Sequence, residues 1–463
     1  MKYLLKSSIF ISIAVFNGLF AVGQASKSYP TSPFPDRIIL GWKGETSTSQ
    51  AVNWRTNLSQ ENGYAEITEA DPSPDFVSKA KTVKAKDIAF QFDSIKAMYH
   101  EVNFEGLKPE TQYSYRVGAG NFWSEWFHFT TASSQEKPFT FLYFGDAQND
   151  LRSLWSRTIR GAYSNFPKSS FIVHAGDLIN RSNADNEWGE WFEAGGWLNG
   201  MVPNLATPGN HEYYRNEANK PLVSEYWKPQ LALPENGPKG LEETAYFVDY
   251  QNTKLISIDS QAALLDSSIL QKQAVWLENT LKANKSKWIV VFHHHPIYST
   301  KNGRDNDDWR KTMEPIYKKY QVDLVLQGHD HTYGRGINMP IGKSRDKPDG
   351  PIYVVSVSGP KMYDIGLQNW MDRAASNTQL YQAITVNNNQ LSFKAYTVTG
   401  ELYDHFDLIK NAKKVNTLKE YSNTLSLQER LELPERLQKS FKAEQLDEYN
   451  RKYQEYKKRK GLK

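Results

Sequence analysis

Phe171-Ile-Val-His-Ala-Gly-Asp-Leu-Ile-Asn180 is the stretch on which the reading of the fold turns. Phe171 to Val173 is a short apolar, β-branched run, Gly176 permits a sharp turn, and Asp177 is left at the carboxyl end of the strand. Four other stretches share the pattern: Phe141-Leu-Tyr-Phe-Gly-Asp146, Leu205-Ala-Thr-Pro-Gly-Asn-His-Glu212, Trp288-Ile-Val-Val-Phe-His-His-His-Pro296 and Leu324-Val-Leu-Gln-Gly-His-Asp-His331. Each is an apolar run followed by a turn carrying metal-ligand residue types. Six of the ten histidines fall in three of these turns, a concentration that points to one metal site assembled from five strand ends.

From Phe139 onward such strands alternate with segments of helical period, at residues 150–163, 186–197, 269–283 and 307–320. Val275, Trp276, Leu277 and Leu281 supply the apolar residues of the third. Strand and helix in alternation imply an α/β, layered domain, and ligands of such sheets gather outside the carboxyl ends of the strands. Two cations held side by side need oxygen and imidazole donors, with one carboxylate between them to offset their repulsion. Asp177 is the expected bridge, and Asp146, Asn210, His294, His329 and His331 supply the other ligands. This mixed donor set suits iron, zinc or manganese better than magnesium or calcium, which prefer oxygen alone.

Upstream, residues 34–132 read as all-β. Arg37-Ile-Ile-Leu-Gly-Trp42, Ala51-Val-Asn-Trp54, Met98-Tyr-His-Glu-Val-Asn-Phe104, Tyr113-Ser-Tyr-Arg-Val117 and Trp126-Phe-His-Phe-Thr130 are short β-branched or aromatic runs between turns, the mark of a β-sandwich. Trp42, Trp54, Trp123 and Trp126 are expected in its core. Gly106-Leu-Lys-Pro-Glu-Thr-Gln-Tyr113 resembles the corner before a late strand of fibronectin type III domains, which implies that the Tyr113 hydroxyl ties back to upstream backbone. Residues 131–138 are polar and end in Pro, as a linker does.

A chain of 463 residues exceeds the roughly 250–300 that one core holds, so two domains are the minimum. A net charge of +4 on this length requires no nucleic-acid partner, and the absence of Cys excludes disulfides and thiol-linked lipid. Lys2 and Lys6 precede an interrupted apolar stretch from Ile9 to Val22, followed by small residues at Ala21, Gly23 and Ala25. Residues 1–25 are read as a signal peptide, the stretch falling short of the ~20 residues a membrane span needs; an uncleaved anchor is the alternative. Secretion or a periplasmic location follows, with no transmembrane segment after cleavage. Residues 411–463 are expected to form a helical basic tail, with Ser426-Leu-Gln-Glu429 as a capping box and Leu437, Phe441, Tyr449, Tyr453 and Tyr456 as its apolar stripe. Seven basic residues against one acidic between Arg451 and Lys463 suit either an anionic surface or a solvated helix end. Oligomeric state is not legible.

The order Gly145-Asp146, Gly176-Asp177, Gly209-Asn210-His211-Glu212, Val291-Phe-His-His294 and Gly328-His329-Asp-His331 resembles the calcineurin-like metallophosphoesterase superfamily, and within it the purple acid phosphatases. Ala245-Tyr-Phe-Val-Asp-Tyr250, Gln273-Ala-Val-Trp-Leu-Glu278, the His294-His-Pro-Ile-Tyr298 turn, Tyr333 and Phe393-Lys-Ala-Tyr-Thr-Val-Thr-Gly-Glu-Leu402 extend the likeness across residues 34–410. It implies a metallophosphoesterase catalytic domain at 138–410 after a fibronectin-like sandwich. It also implies two metal ions, one on Asp146, Asp177 and His331, the other on Asp177, Asn210, His294 and His329. The activity implied is hydrolysis of small phosphorylated substrates, phosphate monoesters first and a phosphodiesterase or nucleotidase second, by attack of metal-bound hydroxide. His211 is the expected acid for the leaving group. His295 either shares that role, orients phosphate or braces the ligands, and Arg304 is expected to clamp a phosphoryl oxygen. A surface-binding protein with structural metals is the reading from another class, and His211, which no structural site needs, argues against it.

The sequence departs from that family at Gln148, where Gly is usual, and at Asn180, where the family places the tyrosinate that colours ferric iron. Gln148 either offers an amide oxygen to the metal or lines the site. A pair of histidines that plant members place after the His-x-Pro-x-Tyr turn is also missing, Gly303 and Arg304 standing nearest.

Overall fold

The computed structural model describes residues 27–337 and 350–461; the expected signal peptide lies outside the described residues. Residues 36–130 form a β-sandwich of two sheets. One orders its strands Asp36–Gly41, Gln50–Thr56, Ile95–Phe104, Lys86–Phe92; the other Lys81–Lys84, Tyr64–Glu69, Gln112–Ala119, Phe122–Trp123, with Phe127–Thr130 also paired to Gln112–Ala119. Lys81–Lys84 and Lys86–Phe92 escape the sequence reading because each is an edge strand whose outward residues are charged or polar, which dilutes the apolar run. The expected corner is present: the Lys108 N–H donates to the Tyr113 hydroxyl at 2.9 Å.

The four tryptophans separate. Trp54 is core, stacked on His100, and Trp42 leaves the sandwich to pack on Phe171 and Tyr250 of the following domain. Trp123 and Trp126 are only half-buried and flank the Arg116 guanidinium at 4.6 and 4.9 Å, so they are not core residues as expected. A cation over two ring faces holds them at the surface instead.

The remainder stacks two seven-stranded sheets face to face. In the first, Phe139–Phe144 (β1), Ile172–His174 (β2) and Asn204–Ala206 (β3) run parallel, and antiparallel strands from Leu380 to Glu420 continue beyond β1. In the second, Trp288–His293 (β4) and Leu324–Gln327 (β5) run parallel between Thr253–Ser257 and Ile352–Val355. Alternation divides the cores: Val290, Phe292, Leu324 and Leu326 face the first sheet, while Ile289, Val291 and Val325 face helices. The longer helices are Ser156–Asn165 (α1) and Asp185–Gly195 (α2) outside the first sheet, and Ser267–Lys282 (α3) and Asp307–Lys319 (α4) outside the second. On α3 the buried row is Leu270, Ala274, Leu277 and Leu281; Val275, expected in the stripe, is 60% exposed because one residue further turns it ~100° away.

The segment from residue 411 is not wholly helical. Asn416–Glu420 adds an edge strand to the first sheet, because Phe406–Lys410 leaves backbone groups free to pair with it. Ser426–Glu429 starts no helix; the Glu429 carboxylate instead accepts from the Ala374 N–H at 2.8 Å and the Tyr456 hydroxyl at 2.6 Å. Glu435–Ser440 (α5) and Ala443–Lys460 (α6) follow, with Tyr449, Tyr453 and Tyr456 packed on the second core. Leu437 and Phe441 do not join that core. Lys452 reaches Asn302, Arg459 reaches Gln368 and Asn369, and Lys460 reaches Asp372, so part of the basic run is engaged within the chain.

Candidate metal centre

All five turns end on one side of the sheet pair. Asp146 follows β1, Asp177 follows β2, Asn210 and His211 follow β3, His294 and His295 follow β4, and His329 and His331 follow β5. Asp177, His329 and His331 have φ of 50°, 75° and 49°, a left-handed backbone costing about 1–3 kcal/mol per non-glycine residue, so the surroundings must enforce it. Two glycines are required by close approach. A Cβ on Gly209 would lie 2.2 Å from an Asp177 oxygen, and one on Gly328 would lie 2.3 Å from an Asp146 oxygen.

Two carboxylates that the sequence reading assigned no role supply the enforcement. Glu212, fully buried, accepts backbone N–H groups of Gly209 at 2.6 Å, Leu178 at 2.8 Å and Asp177 at 2.9 Å. Asp330, also buried, accepts the Ser299 hydroxyl at 2.6 Å, the Thr300 N–H at 2.7 Å and the Arg304 guanidinium at 2.7 Å, stapling the turn after β5 to the 299–304 loop. The only signal in the sequence was their place beside expected ligands.

The ligand atoms converge. His294 donates its Nδ1–H to the Ala175 carbonyl at 2.8 Å, which leaves Nε2 3.2 Å from Asp177 Oδ2, 3.2 Å from Asn210 Oδ1 and 3.1 Å from His329 Nδ1. His331 donates Nδ1–H to the Lys361 carbonyl at 2.9 Å, and its Nε2 lies 3.1 Å from Asp146 Oδ2, a buried oxygen without a hydrogen-bond partner among the described residues. Burial opposes charge on His294, yet Asp177 and Asp146 hold its imidazole up to about 9. Asp146 is pushed up to about 7 by burial and by Asp177. Burial and the Lys361 ammonium press His331 down to about 3, so its Nε2 carries no proton. Imidazole nitrogens and carboxylate and amide oxygens crowded together, with a proton on His294 Nε2 that a cation can displace, and one orphaned carboxylate oxygen fit cations held in both places.

His211 lies beside this cluster. Its Nδ1 meets the Asn180 carbonyl at 2.5 Å, its N–H donates to Asp177 Oδ1 at 2.9 Å, and its Nε2 lies 4.0 Å from Asp177 Oδ2. His295 is gathered as well: its ring packs at a tilt of 49° against His329 with centroids 4.2 Å apart and meets the Ser260 hydroxyl at 3.0 Å. Gln148 and Asn180 bond to each other at 3.2 Å, and the Gln148 oxygen accepts from Lys361 at 3.1 Å. Arg304 is spent on Asp330 and the His329 carbonyl. His174 and His293 are buried among aromatic rings away from the cluster. Tyr213 and Tyr333, two tyrosines close in sequence to the ligand-bearing turns, donate to Asp259 and Asp404, both at 2.6 Å.

Comparison with known proteins accords with this geometry. Residues 35–131 match the family model for the purple acid phosphatase N-terminal domain, and residues 139–333 match that for calcineurin-like phosphoesterases. A purple acid phosphatase of Glycine max is 26% identical over 296 residues, covering 61% of this chain and 62% of the relative, so the chain spans under two thirds of that protein's length. Acid phosphatase type 7 of Mus musculus is 26% identical over 375 residues, covering 72% and 80%. The Fe(3+)-Zn(2+) purple acid phosphatase 12 of Arabidopsis thaliana is 26% identical over 261 residues, covering 53% of each. Among solved structures, a purple acid phosphatase from yellow lupin seeds superposes with a TM-score of 0.68 at 18% identity, covering 82% of this chain and 75% of that one, a likeness of fold. The two matched models lie in tandem over the sandwich and the first two thirds of the layered domain, with the gathered ligands inside the second; the chain belongs to the calcineurin-like phosphoesterases that carry a purple acid phosphatase N-terminal domain.

Proposed function

We propose that the chain is an exported phosphatase acting on phosphate monoesters through a two-metal centre, with Asp146, Asp177 and His331 at one ion and Asp177, Asn210, His294 and His329 at the other. The observation that carries this reading is the convergence of His329 Nδ1, Asn210 Oδ1 and Asp177 Oδ2 within 3.2 Å of His294 Nε2, beside Asp146 Oδ2, unpartnered among the described residues. When bound, the ions supply Lewis acidity, making water acidic enough to attack near neutrality and offsetting charge on the phosphoryl oxygens. Glu212 and Asp330 keep the ligand-bearing turns in their left-handed backbone. His211, with Nδ1–H turned to the Asn180 carbonyl, presents Nε2 beside Asp177, where it delivers a proton to the departing alkoxide. His295 and its Ser260 partner fix the face of His329. Arg304 holds the turn after β5 through Asp330, which serves the site as a brace rather than as a phosphate clamp.

The test is hydrolysis of a chromogenic phosphate monoester and of the matching diester by the full chain, with and without a chelator. Monoester turnover abolished by the chelator and restored by zinc or iron is expected. Preferential diester turnover would replace the monoester reading, and turnover indifferent to chelation would end it. Export rests on Lys2, Lys6 and the apolar stretch from Ile9 to Val22, and no helix of the described residues is long and apolar enough to cross a membrane. Mass spectrometry of the mature chain should find its first residue near Ser26; an intact Met1 on the exported protein would contradict cleavage.

A further inference from the structure

Beside the His331 edge of the centre lies a group of three cations, two of which, Lys301 and Lys361, the phosphatase reading leaves without a role. The Tyr363 ring packs on His331 with centroids 4.5 Å apart, and around it stand Lys301 Nζ at 4.4 Å, Lys361 Nζ at 5.6 Å and Arg304 Cζ at 5.7 Å from the ring centre. Arg304 is neutralised by Asp330, but neither lysine ammonium has a carboxylate partner among the described residues. Lys361 Nζ donates to the neutral Gln148 amide at 3.1 Å, and its own carbonyl holds His331, so this ammonium is fixed at the rim of the first metal position. A ring face positions a cation without cancelling its charge, which leaves both ammonium groups available to an anion. All three side chains are partly exposed. The two lysine-bearing loops are also pinned. Lys301 pairs with Ile365 across an isolated bridge, Lys452 of α6 holds Asn302, and Arg436 of α5 donates to the Met362 carbonyl at 3.3 Å.

We propose that Lys361 and Lys301, set around Tyr363, form a second anion subsite that takes the distal phosphoryl group of a substrate whose proximal phosphoryl group lies on the metals, so that the chain favours compounds with two adjoining phosphoryl groups over simple monoesters. The proposal rests on the phosphatase reading for the first of these positions. A distal phosphoryl group presents several anionic oxygens, and the two ammonium groups that would receive them lie 4.4 and 5.6 Å from one ring centre, with Lys361 at the rim of the metal position.

The test is calorimetric titration of the zinc-loaded full chain with methylenediphosphonate and, separately, with inorganic phosphate. Lys301, which touches no proposed ligand, is the primary position. Lys301→Ala is expected to weaken methylenediphosphonate by about 10-fold and phosphate by under about 2-fold, as loss of one charge-assisted contact to the distal group requires, and Lys301→Arg to restore most of the difference. Lys361→Ala should act in the same direction, and salt should compress the gap. Equal weakening of both anions, or none, would overturn the subsite. A wild-type chain that binds phosphate but prefers it to the diphosphonate would do the same while leaving the monoesterase reading intact. Failure to bind either anion would remove both readings together.

Discussion

Glu212→Gln is the perturbation that tests whether the site is held by its buried braces. The carboxylate accepts at both oxygens: Gly209 and Asp177 on Oε2, Leu178 on Oε1, with Ile179 more distant on Oε1 at 3.4 Å. A glutamine keeps one oxygen, so in either orientation its NH₂ faces at least one backbone N–H that has lost its acceptor. A hydrogen bond to a charged group contributes about 1.5–3 kcal/mol and leaving a buried donor unpaired costs a similar amount, so the variant should lose about 2–4 kcal/mol. Stabilities of about 5–15 kcal/mol absorb that loss without unfolding. Asp177, whose strained φ of 50° is held in part by its N–H on Glu212, is the first residue to relax, and metal affinity should fall about 10- to 100-fold. In the metal-free chain burial and the Asp177 charge push Glu212 up to about 8 from its ordinary 4.5. The sign follows: the folded state keeps the proton that the unfolded state gives up, so wild-type stability declines as pH rises from about 4.5 to 8, and the variant escapes that decline. The variant's deficit should therefore shrink with pH in the metal-free chain and be largest with Asp177 neutralised by metal. Denaturant melts of both forms across this range, with zinc content by elemental analysis, provide the assay. A variant within about 0.5 kcal/mol of wild type with both metals retained would refute the bracing role.

Asp177→Ala should lose both cations together, whereas His294→Ala should spare the first position more than the second; two metals retained without Asp177 would rule out the bridge. His211→Ala should lower kcat by about 10²- to 10⁴-fold on an alkyl phosphate and much less on an activated aryl phosphate, with metal content intact; equal losses on both would exclude the acid role. Because Asp177 and Asp146 hold His294 up to about 9, metal uptake at pH 7 should release about one proton, read by titration calorimetry in buffers of different ionisation enthalpy, and affinity should fall as pH drops; zero release would mean that His294 carries no proton in the free chain. Iron-loaded protein should be nearly colourless and Asn180→Tyr should gain a tyrosinate band, since Tyr213 and Tyr333 are held by Asp259 and Asp404; a strong band in the unmodified protein would mean that another tyrosine reaches the metal.

The strand, turn and ligand pattern was legible because each unit of it is local. An apolar run must be buried, a glycine must follow where the chain turns against a neighbour, and a carboxylate or imidazole at that turn has few structural reasons to be there. The order of Asp146, Asp177, Asn210, His294, His329 and His331 along the chain was therefore enough to specify one layered domain and one metal centre, and alternation upstream was enough to specify the sandwich. Tertiary structure alone decided what holds those residues and what surrounds them. Glu212 meets Asp177 from 35 residues away, Lys361 meets Gln148 across 213, and Trp42 abandons its own sandwich for Phe171. Such pairings leave no period in the sequence, since a buried brace needs only the right charge at the right point in space. For the same reason Arg304 became a partner of Asp330, Val275 turned outward, and the tail expected to be helix gave its first strand to an open sheet edge.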